Sequence, residues 1–404
     1  MLRKALSYRY DVPWCVPPWG GPELRATVGS VLRGAVIDGD APTAFAQAVA
    51  ARTHSAYGLP FGLGRDAIAA GLRAIGVRPG SEVIMPSYVC WSLVEGVLRS
   101  GAKPRFVDIG PGLNVTPESI EPALGPSTAA VIVPHLFGNP AEIAACESMM
   151  RSRGVPLVDD AAQALGGSQD GRPLGSFGDF GIVSCGPGKP LSGTGGAVLI
   201  TDDANLVARI LDVPAATEDA RAAFRRVLQF WLWRRGRRHL LPLELGLSRL
   251  GIVAGFDAPS SICGLSNLEA EIALCQLSVL ERNREIRRNA ARVLLDALGP
   301  LAAFCVTELG STAAVMKLVL VLPQAGPCAD DVIAMFHRAG VEAQGGYQPC
   351  HHRLGVPAHL PTTEAIWTRV VCVPLERALM RPECLAREAL RLLDGRARTG
   401  ATMS

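Results

Sequence analysis

The chain has 404 residues, of which 49% are hydrophobic and 19% are charged, a composition that predicts a globular protein and excludes a disordered one. The formal net charge of +3 is too small to indicate a nucleic-acid-binding protein by itself. No apolar run is long enough to span a bilayer, and the opening stretch MLRKALSYRYDVPW lacks the apolar core of a signal peptide.

Short apolar runs alternate with helix-like segments between residues 60 and 201. The strand-like runs are EVIMPS, KPRFVDI, AAVIVPHL, VPLVDDA, FGIVSC and GAVLIT, and the helix-like segments cover residues 66–75, 93–100, 117–124 and 141–153. Continuous apolar strands that alternate with helices predict an α/β fold with a mostly parallel, doubly wound sheet and right-handed crossovers. In such sheets the chemistry lies beyond the carboxyl ends of the strands, so the ends of LVDD and IVSC should meet at one crevice.

The alternation ends after residue 205, and the remainder of the chain indicates a second, smaller unit. Residues 266–298 have the periodicity of one long amphipathic helix. Beyond it, AVMKLVLVL is typical of a strand, residues 329–338 of a helix, and LAREALRLL of a closing helix. We therefore expect a large domain over residues 1–260, with a basic insertion at about 215–250, and a smaller C-terminal α/β domain over residues 261–404.

The basic segment at residues 221–239 carries seven arginines between Arg221 and Arg238, interleaved with tryptophans. Three interpretations stay open. The helix could present a solvated basic face and pack its tryptophans inward, which is the commonest arrangement. It could instead form a cationic rim that attracts an anionic substrate. It could also lie on an anionic membrane surface, a contact that the rest of the sequence does little to support.

Two side chains point to cofactor chemistry. Asp160 ends the strand VPLVDD, and Lys189 follows the next long strand in the loop CGPGKPLSGTGG. An acid and a lysine brought to one crevice suit pyridoxal phosphate (PLP), which needs a lysine to hold it as a Schiff base and a carboxylate to keep its pyridine nitrogen protonated. Taken alone, Lys189 could be a solvated loop lysine and Asp160 a helix N-cap. We expect the adjacent Asp159 to be the solvated member of the acidic pair.

Three stretches, VDDAAQALGG, GSFGDFGIVSCGPGK and GTGGAVLITDD, resemble in this order the DegT/DnrJ/EryC1/StrS family of sugar aminotransferases, which are fold-type I PLP enzymes. Upstream, GVRPGSEVIMPSYVCWSLVEGVLRSGAKPRFVDI and VIVPHLFGNPAEI are similar to the same family. The resemblance covers residues 60–201 well and residues 265–380 in outline. It implies a fold-type I aminotransferase-like fold and a homodimer, because sites of this class are built at a subunit interface.

The resemblance carries site roles onto individual residues. Lys189 matches the Schiff-base lysine, Asp160 the partner of the pyridine nitrogen, and Gln163 the residue near the cofactor's phenolic oxygen. Ser184 matches a phosphate ligand. A dehydrating relative carries histidine at the lysine position, so Lys189 favours amino transfer.

The start of a helix in GLGRDAIAAGL supplies free N–H groups that suit the cofactor's phosphate. Gly64, Arg65 and Asp66, followed by an alanine, stand where the family usually has Gly-Thr-x-Ala. The Arg65 guanidinium could bind phosphate through two N–H groups. The family often places an aromatic residue over the ring where this chain has Cys90. Either of the flanking residues, Tyr88 or Trp91, could cover the ring instead, and Trp91 could equally belong to the core.

Two further segments near the expected site bear on its substrate. SSICGLSN, before the long helix, lacks the family's Asn-x-Arg, which is lent to the neighbouring subunit's phosphate site. This departure suggests a substrate other than a nucleotide-linked sugar. In YQPCHH, Tyr347 and His351 match a Tyr-x-Pro-x-His segment near the substrate, although a partly exposed turn would also explain them. Because three consecutive residues of a regular strand cannot all face one ion, no metal site is expected at residues 350–352.

Together these observations predict a PLP-dependent aminotransferase. It would move an amino group from an amino acid, glutamate or glutamine by the resemblance, to a keto sugar, a cyclitol or another natural-product carbonyl. A PLP-dependent lyase or dehydratase on the same fold and a non-catalytic regulatory homologue are the alternatives. Eleven cysteines without C-x-x-C pairs indicate reduced thiols and a cytoplasmic protein. No nucleic-acid partner is expected.

Overall fold

The computed structural model describes residues 10–15, 17–212, 219–233 and 262–400. Its first strands are β1 (Tyr57–Phe61), β2 (Glu82–Pro86), β3 (Lys103–Val107), β4 (Thr128–Pro134), β5 (Leu157–Asp160), β6 (Ser168–Gln169), β7 (Arg172–Pro173), β8 (Phe180–Ser184) and β9 (Ala197–Thr201). Seven of them form one sheet in the order β1-β9-β8-β5-β4-β2-β3, while β6 and β7 form a separate hairpin. The five strands from β8 to β3 run parallel, and β9 is antiparallel to both of its neighbours. The predicted α/β fold with a mostly parallel sheet is confirmed.

Helices cover the sheet and continue into the C-terminal part of the chain. They are α1 (Gly21–Leu32), α2 (Ala41–Thr53), α3 (Gly64–Ala74), α4 (Trp91–Ser100), α5 (Pro117–Ile120), α6 (Ile143–Arg153), α7 (Ala204–Leu211), α8 (Ala220–Trp233), α9 (Asn267–Ser278), α10 (Leu280–Leu298), α11 (Ala329–Arg338), α12 (Cys350–Leu354), α13 (Pro361–Ile366) and α14 (Pro382–Gly400). The central strand β4 is buried at every residue from Ala130 to Pro134. Because successive side chains of a strand point to opposite faces, both faces of β4 are covered, which explains its unbroken apolar run.

The edge strand β1 is absent from the sequence prediction, because YGLPF contains a glycine and a proline and has little strand character. It pairs with β9, and its glycine is required by packing. A Cβ atom on Gly58 would lie 2.2 Å from the carbonyl oxygen of Ala46 on α2, so helix and strand can touch only where no side chain intervenes.

The single helix predicted over residues 266–298 is wrong, because two helices, α9 and α10, meet at Val279. The backbone of Val279 has φ −112° and ψ 12°, outside the helical region. The Ser278 hydroxyl also donates to the carbonyl of Cys275, a local bond that competes with the regular helical pattern. The break lets the two helices serve different cores: α9 packs against α1 and α2, whereas α10 packs against α14.

The smaller unit contains a three-stranded antiparallel sheet, formed by β10 (Lys317–Val321), β11 (Gln344–Gly345) and β12 (Val370–Pro374) in the order β10-β12-β11. Its apolar core draws side chains from this sheet, from α10 and from α11. The predicted domain boundary after residue 260 falls outside the described residues and stays a prediction. Within the described ranges, none of the helices combines the length and the apolar character needed to cross a membrane.

All eleven cysteines lie in the described ranges, and each of them is a free thiol. Burial raises the pKa of the Cys146 thiol on α6 to about 12 and that of the Cys372 thiol on β12 to about 12. Cys328, just before α11, is exposed. The prediction that the cysteines remain reduced agrees with this arrangement.

Candidate active site

Asp160 occupies the carboxyl end of β5 and is almost fully buried. The backbone N–H of Ala162 donates to its carboxylate at 3.0 Å, and no other hydrogen bond to this carboxylate is found in the described part of the chain. Burial raises the pKa of the Asp160 carboxyl, and the Ala162 N–H and the positive charge of Lys189 oppose that rise. The carboxylate therefore has a single hydrogen-bond donor in the described part of the chain and lies near enough to Lys189 for the lysine charge to lower its pKa.

Asp159 behaves differently from its neighbour, and the expectation that it is solvated is wrong. Its side chain is fully buried and accepts hydrogen bonds from the N–H groups of Gly175 at 2.6 Å and Phe177 at 3.1 Å. His135 Nε2 lies 2.7 Å from the same carboxylate, while its Nδ1 accepts from the N–H of Ala141. Because successive side chains of a strand point to opposite faces, Asp159 and Asp160 enter separate environments, and only Asp159 is fully satisfied.

Lys189 lies in the lysine loop, which we define as residues 185–196 between β8 and β9. The side chain is half-buried, and its backbone N–H donates to the carbonyl of Gly186 at 3.2 Å. The preceding Gly188 has φ +69°, a left-handed conformation that favours glycine. The tight turn explains why the loop is rich in glycine, and it keeps Lys189 just beyond the end of β8, the strand that neighbours β5.

Ser184 ends β8 beside the start of α3. A Cβ atom added to Gly64 would lie 3.9 Å from Ser184 Oγ, and one added to Gly186 would lie 3.7 Å from it. The residue that precedes α3, Leu63, provides no side-chain cap, so the first N–H groups of the helix remain available to a ligand. A hydroxyl, two glycines and a helix N-terminus thus surround one small space of the kind that binds phosphate.

Arg65 and Asp66, predicted beside this space, are engaged elsewhere through their side chains. The guanidinium of Arg65 pairs with Glu95 on α4. Asp66 is fully buried, accepts from Arg99 at 2.7 Å and from the N–H of Cys263 at 3.4 Å, and has its pKa raised by burial. These contacts tie α3 to α4, so in this structure the backbone of the helix start, rather than these two side chains, faces Ser184.

Gln163 and Tyr347 come together from opposite ends of the chain. Gln163 Oε1 accepts the N–H of Phe137 at 2.9 Å, and the Gln163 side chain lies close enough to the Tyr347 hydroxyl to lower the pKa of that phenol. The Tyr347 ring stacks on Phe137 with centroids 5.4 Å apart and meets Tyr88 edge-on at 5.8 Å. Burial raises the pKa of Tyr347 well above its usual value, with the charge of Cys90 adding to the rise. The phenol is thus held neutral beside Gln163 and near Asp160.

Cys90 and Trp91 separate at the start of α4. Cys90 is half-buried and close enough to Tyr347 to influence the ionisation of its phenol. Trp91 turns away: its Nε1 donates to Glu95 at 3.0 Å, and the Arg353 guanidinium lies 3.9 Å from its ring centroid. Of the two residues, only Cys90 therefore adjoins the group formed by Gln163 and Tyr347.

His351 belongs to the short helix α12, so the expected turn or strand at this position is wrong. Its Nδ1 lies 2.7 Å from Ser87 Oγ, and its Nε2 lies 3.0 Å from Glu364. His352 Nε2 approaches the same carboxylate at 2.8 Å. The helix turns both imidazoles toward Glu364 on α13, and the three ligand atoms lie within 4.8 Å of one another, so the strand argument against a metal site does not apply. The absence of a metal stays a prediction.

The described part of the basic segment is α8, and residues 234–239 lie outside the described ranges. Val227 and Phe230 are fully buried, and Trp231 meets Trp19 at 5.4 Å. This agrees with the first interpretation, in which aromatic residues pack inward. Arg226 pairs with the buried Glu269 at 2.9 Å, and the spacing of these two residues in the sequence does not predict this contact.

The model of the DegT/DnrJ/EryC1/StrS aminotransferase family matches residues 20–386. A UDP-N-acetyl-3-dehydro-alpha-D-glucosamine 3-aminotransferase of Acidithiobacillus ferrooxidans is 36% identical over 187 residues, which are 46% of this chain and 51% of that protein. An L-glutamine:scyllo-inosose aminotransferase of Streptomyces griseus is 33% identical over 271 residues, 67% of this chain and 57% of that protein. The chain thus spans about half the length of these curated relatives.

Among solved structures, the fold is similar to that of an E. coli GDP-4-keto-6-deoxy-D-mannose-3-dehydratase with bound hydrated PLP. The TM-score is 0.75 at 17% identity, and the match covers 95% of this chain and 100% of that one. At this identity the likeness establishes the fold alone.

Proposed function

The chain belongs to the DegT/DnrJ/EryC1/StrS aminotransferase family, and from this premise we propose that it is a PLP-dependent aminotransferase. One observation carries the proposal: a buried carboxylate short of hydrogen-bond donors, Asp160, ends β5 and feels the charge of Lys189, which follows β8. A protonated ring nitrogen would supply the donor that Asp160 lacks, and an aldehyde would engage the lysine.

The residues fit this cofactor on a second, independent ground. The space between Ser184 Oγ and the start of α3 is lined by Gly64 and Gly186, each at a position where a Cβ atom would narrow it. The Ser184 hydroxyl and the N–H groups of Gly64 and Arg65 would bind the phosphate there. The Arg65 guanidinium, paired with Glu95, would have to leave its partner to contribute, so we assign the phosphate chiefly to the backbone and to Ser184.

PLP, when bound, supplies an electron sink. Asp160 would hold the proton at the pyridine nitrogen, because an opposite charge favours the ionised carboxylate that burial alone disfavours. Lys189 would hold the cofactor through Nζ. Once the amino substrate has taken its place, Nζ would move a proton at the substrate's α-carbon as general base and then as general acid.

Gln163 and Tyr347 would orient the other side of the ring. The Gln163 amide is already fixed by the N–H of Phe137, so its position does not depend on the ligand. Tyr347 stays neutral through burial and can donate its hydroxyl proton in a hydrogen bond without adding charge. Cys90 lies next to Tyr347, and His351 is held by Ser87 and Glu364. We propose that both residues border the substrate.

We propose glutamate or glutamine as the amino donor and a keto sugar, cyclitol or related carbonyl compound as the acceptor. The support is the named activity of the similar proteins, one of which uses L-glutamine and scyllo-inosose and another a UDP-linked 3-dehydro sugar. The two relatives differ in whether a nucleotide is attached, so the choice between these acceptor classes is the first question for experiment.

A direct test incubates purified protein with PLP and then with glutamate or glutamine. We expect the absorbance of the lysine-bound cofactor to disappear and the amine form to accumulate with one oxo acid per turnover. Acceptors should then be offered as a panel that contains scyllo-inosose and a UDP-linked 3-dehydro sugar. Failure of every amino acid to convert the cofactor would refute the aminotransferase proposal.

A dehydratase or lyase on the same fold is the second candidate. It is favoured by the likeness to the solved dehydratase, which extends over 95% of this chain. The same experiment separates the two activities, because a dehydratase would release a deoxygenated product that carries no new amine. A regulatory homologue without catalysis would leave the absorbance of added PLP unchanged.

We further propose that the protein is a homodimer. The support is an apolar stripe on α1, where Leu24, Val28, Val31 and Leu32 are all exposed at helical spacing. Val28→Asp should lower the mass seen by light scattering from that of two chains to that of one. Leu390→Asp, at an equally exposed apolar position on α14, is the matched control and should leave the mass unchanged.

A further inference from the structure

Arg287 on α10 is one of the largest fully buried side chains in the described part of the protein, with 2% of its surface exposed. Its guanidinium donates to the carbonyl oxygen of Lys189 at 2.9 Å and lies 3.4 Å from that of Pro190. The contact therefore reaches the backbone of the same residue whose charge acts on the Asp160 carboxylate. Nothing in the spacing of α10 and the lysine loop, which are about a hundred residues apart, reveals it.

The chemistry of this contact is unusual for a purely structural arginine. No carboxylate of the described residues lies within ion-pair distance of Arg287, so two neutral carbonyls are its partners. Burial lowers the pKa of the guanidinium, and the negative charge of Glu376 partly opposes that change. A buried cation without an ion-pair partner is costly, and an apolar side chain would serve packing as well. The arrangement is better explained by the backbone geometry that it fixes.

A buried ion pair lies beside the lysine loop one residue earlier, at Gly188. Lys317 on β10 and Glu376 after β12 lie 2.6 Å apart, and both are buried. A Cβ atom on Gly188 would lie 3.7 Å from Lys317 Nζ and 3.7 Å from Glu376 Oε1. The loop thus rests on charged groups of the smaller unit over three consecutive residues, from Gly188 to Pro190.

We infer that Arg287 is a positioning residue for Lys189. Its guanidinium holds the two carbonyls so that the Lys189 side chain leaves the backbone toward Asp160, and Nζ needs no loop rearrangement to reach the cofactor. The inference rests on the proposed function. It predicts that Arg287 controls the rate at which PLP attaches and the lysine to which it attaches. These two effects are separate from any effect of Arg287 on folding.

Arg284 provides a matched comparison on the same helix. It is also buried, and its guanidinium donates to two backbone carbonyls, those of Ser311 at 3.2 Å and Ala313 at 3.1 Å. It differs in having an ion-pair partner, Glu281, at 2.7 Å, and in holding a loop that contains none of the candidate site residues. Loss of either arginine should lower stability, but only loss of Arg287 should disturb Lys189.

The test uses the full chain freed of cofactor, in four forms: wild type, Arg287→Met, Arg287→Lys and Arg284→Met. PLP is added, the absorbance band of the lysine-bound cofactor is followed in time, and the adduct is fixed with borohydride and located by mass spectrometry. We expect Arg287→Met to attach PLP to Lys189 about 100-fold more slowly than wild type, because small misplacements of a reacting group have effects of this size. Arg287→Lys, which can reach one carbonyl, should be intermediate. Arg284→Met should attach PLP at the wild-type rate despite a lower melting temperature.

The outcomes separate the two proposals. Wild-type attachment rates in Arg287→Met, or equal slowing in Arg284→Met, would overturn the positioning role while leaving the aminotransferase proposal intact. If Arg287→Met does not fold, an Arg287→Lys variant that matches wild type would overturn the role equally. Absence of any lysine-bound cofactor in the wild-type protein would overturn the proposed function and this inference with it.

Discussion

The two sides of the candidate site differ in how they are built. The sheet side consists of Asp160, Gln163 and Lys189, which follow the carboxyl ends of neighbouring parallel strands. The C-terminal side consists of Tyr347 and His351, which arrive from the smaller unit and from a short helix. Parallel strands bring their ends together by topology, so the first group is encoded in chain order. The second depends on long-range packing, which local patterns do not record.

The largest effect should come from the sheet side. Lys189→Ala removes the only group proposed to hold the cofactor and to move the proton, so we expect turnover to fall by roughly 1,000- to 10,000-fold. The absorbance band of the lysine-bound cofactor should vanish as well, which a spectrum of the purified variant measures directly. Retention of that band would show that another lysine holds the cofactor, and Lys189 would then not belong to the sheet side of the site.

Asp160→Asn should produce the next largest effect. The amide cannot stabilise a protonated pyridine nitrogen by charge, so we expect turnover to fall by roughly 100- to 1,000-fold while PLP still binds. Steady-state kinetics and a PLP titration would separate these quantities. If the variant turns over as fast as wild type, Asp160 does not have the proposed role at the pyridine nitrogen.

Asp159→Asn sharpens the comparison within a single strand. The substitution weakens hydrogen bonds from Gly175, Phe177 and His135, so we expect the free energy of unfolding to fall by roughly 2–3 kcal/mol. Urea unfolding measures the loss, and the spectrum of the bound cofactor should keep its wild-type position. A spectral change as large as that of Asp160→Asn would show that both carboxylates act on the bound cofactor.

A smaller, pH-dependent effect is expected from the C-terminal side. Burial and the charge of His352 lower the pKa of His351 below its ordinary 6.5, and Glu364 opposes that change. The unfolded chain therefore binds the proton more tightly, so the free energy of unfolding should decrease as pH falls from 6.5 through the folded-state pKa of His351. Urea unfolding between about pH 8 and about pH 5 would follow this loss.

His351→Gln should flatten that pH dependence, and His337→Gln should not. His337 is a suitable control because it also lies in the smaller unit, where its Nε2 approaches the carbonyl oxygen of Ala343 at 2.9 Å. An unchanged pH profile in His351→Gln would assign the titration to another group.

Sequence reasoning succeeded where the physical rule was local. The apolar runs of β2, β4, β5 and β8 predicted buried parallel strands, and the family resemblance led to the same sheet edge. It failed at Val279, because the periodicity of residues 266–298 continues across a break that only the presence of two cores explains. It also failed at Asp159, since alternation along a strand shows that neighbours separate but not which one finds donors. Arg287 left no local signal at all.

The free thiols allow local opening of the large apolar core to be measured at two places. Cys146 on α6 and Cys372 on β12 both belong to the large apolar core, where burial raises the pKa of each thiol to about 12, whereas Cys328 is exposed. An alkylating agent should therefore modify Cys328 at once, and it should modify Cys146 and Cys372 only as fast as the structure around each of them opens. Peptide mapping of the label over time would then compare the opening of this core at α6 with its opening at β12, in one sample and without any substitution.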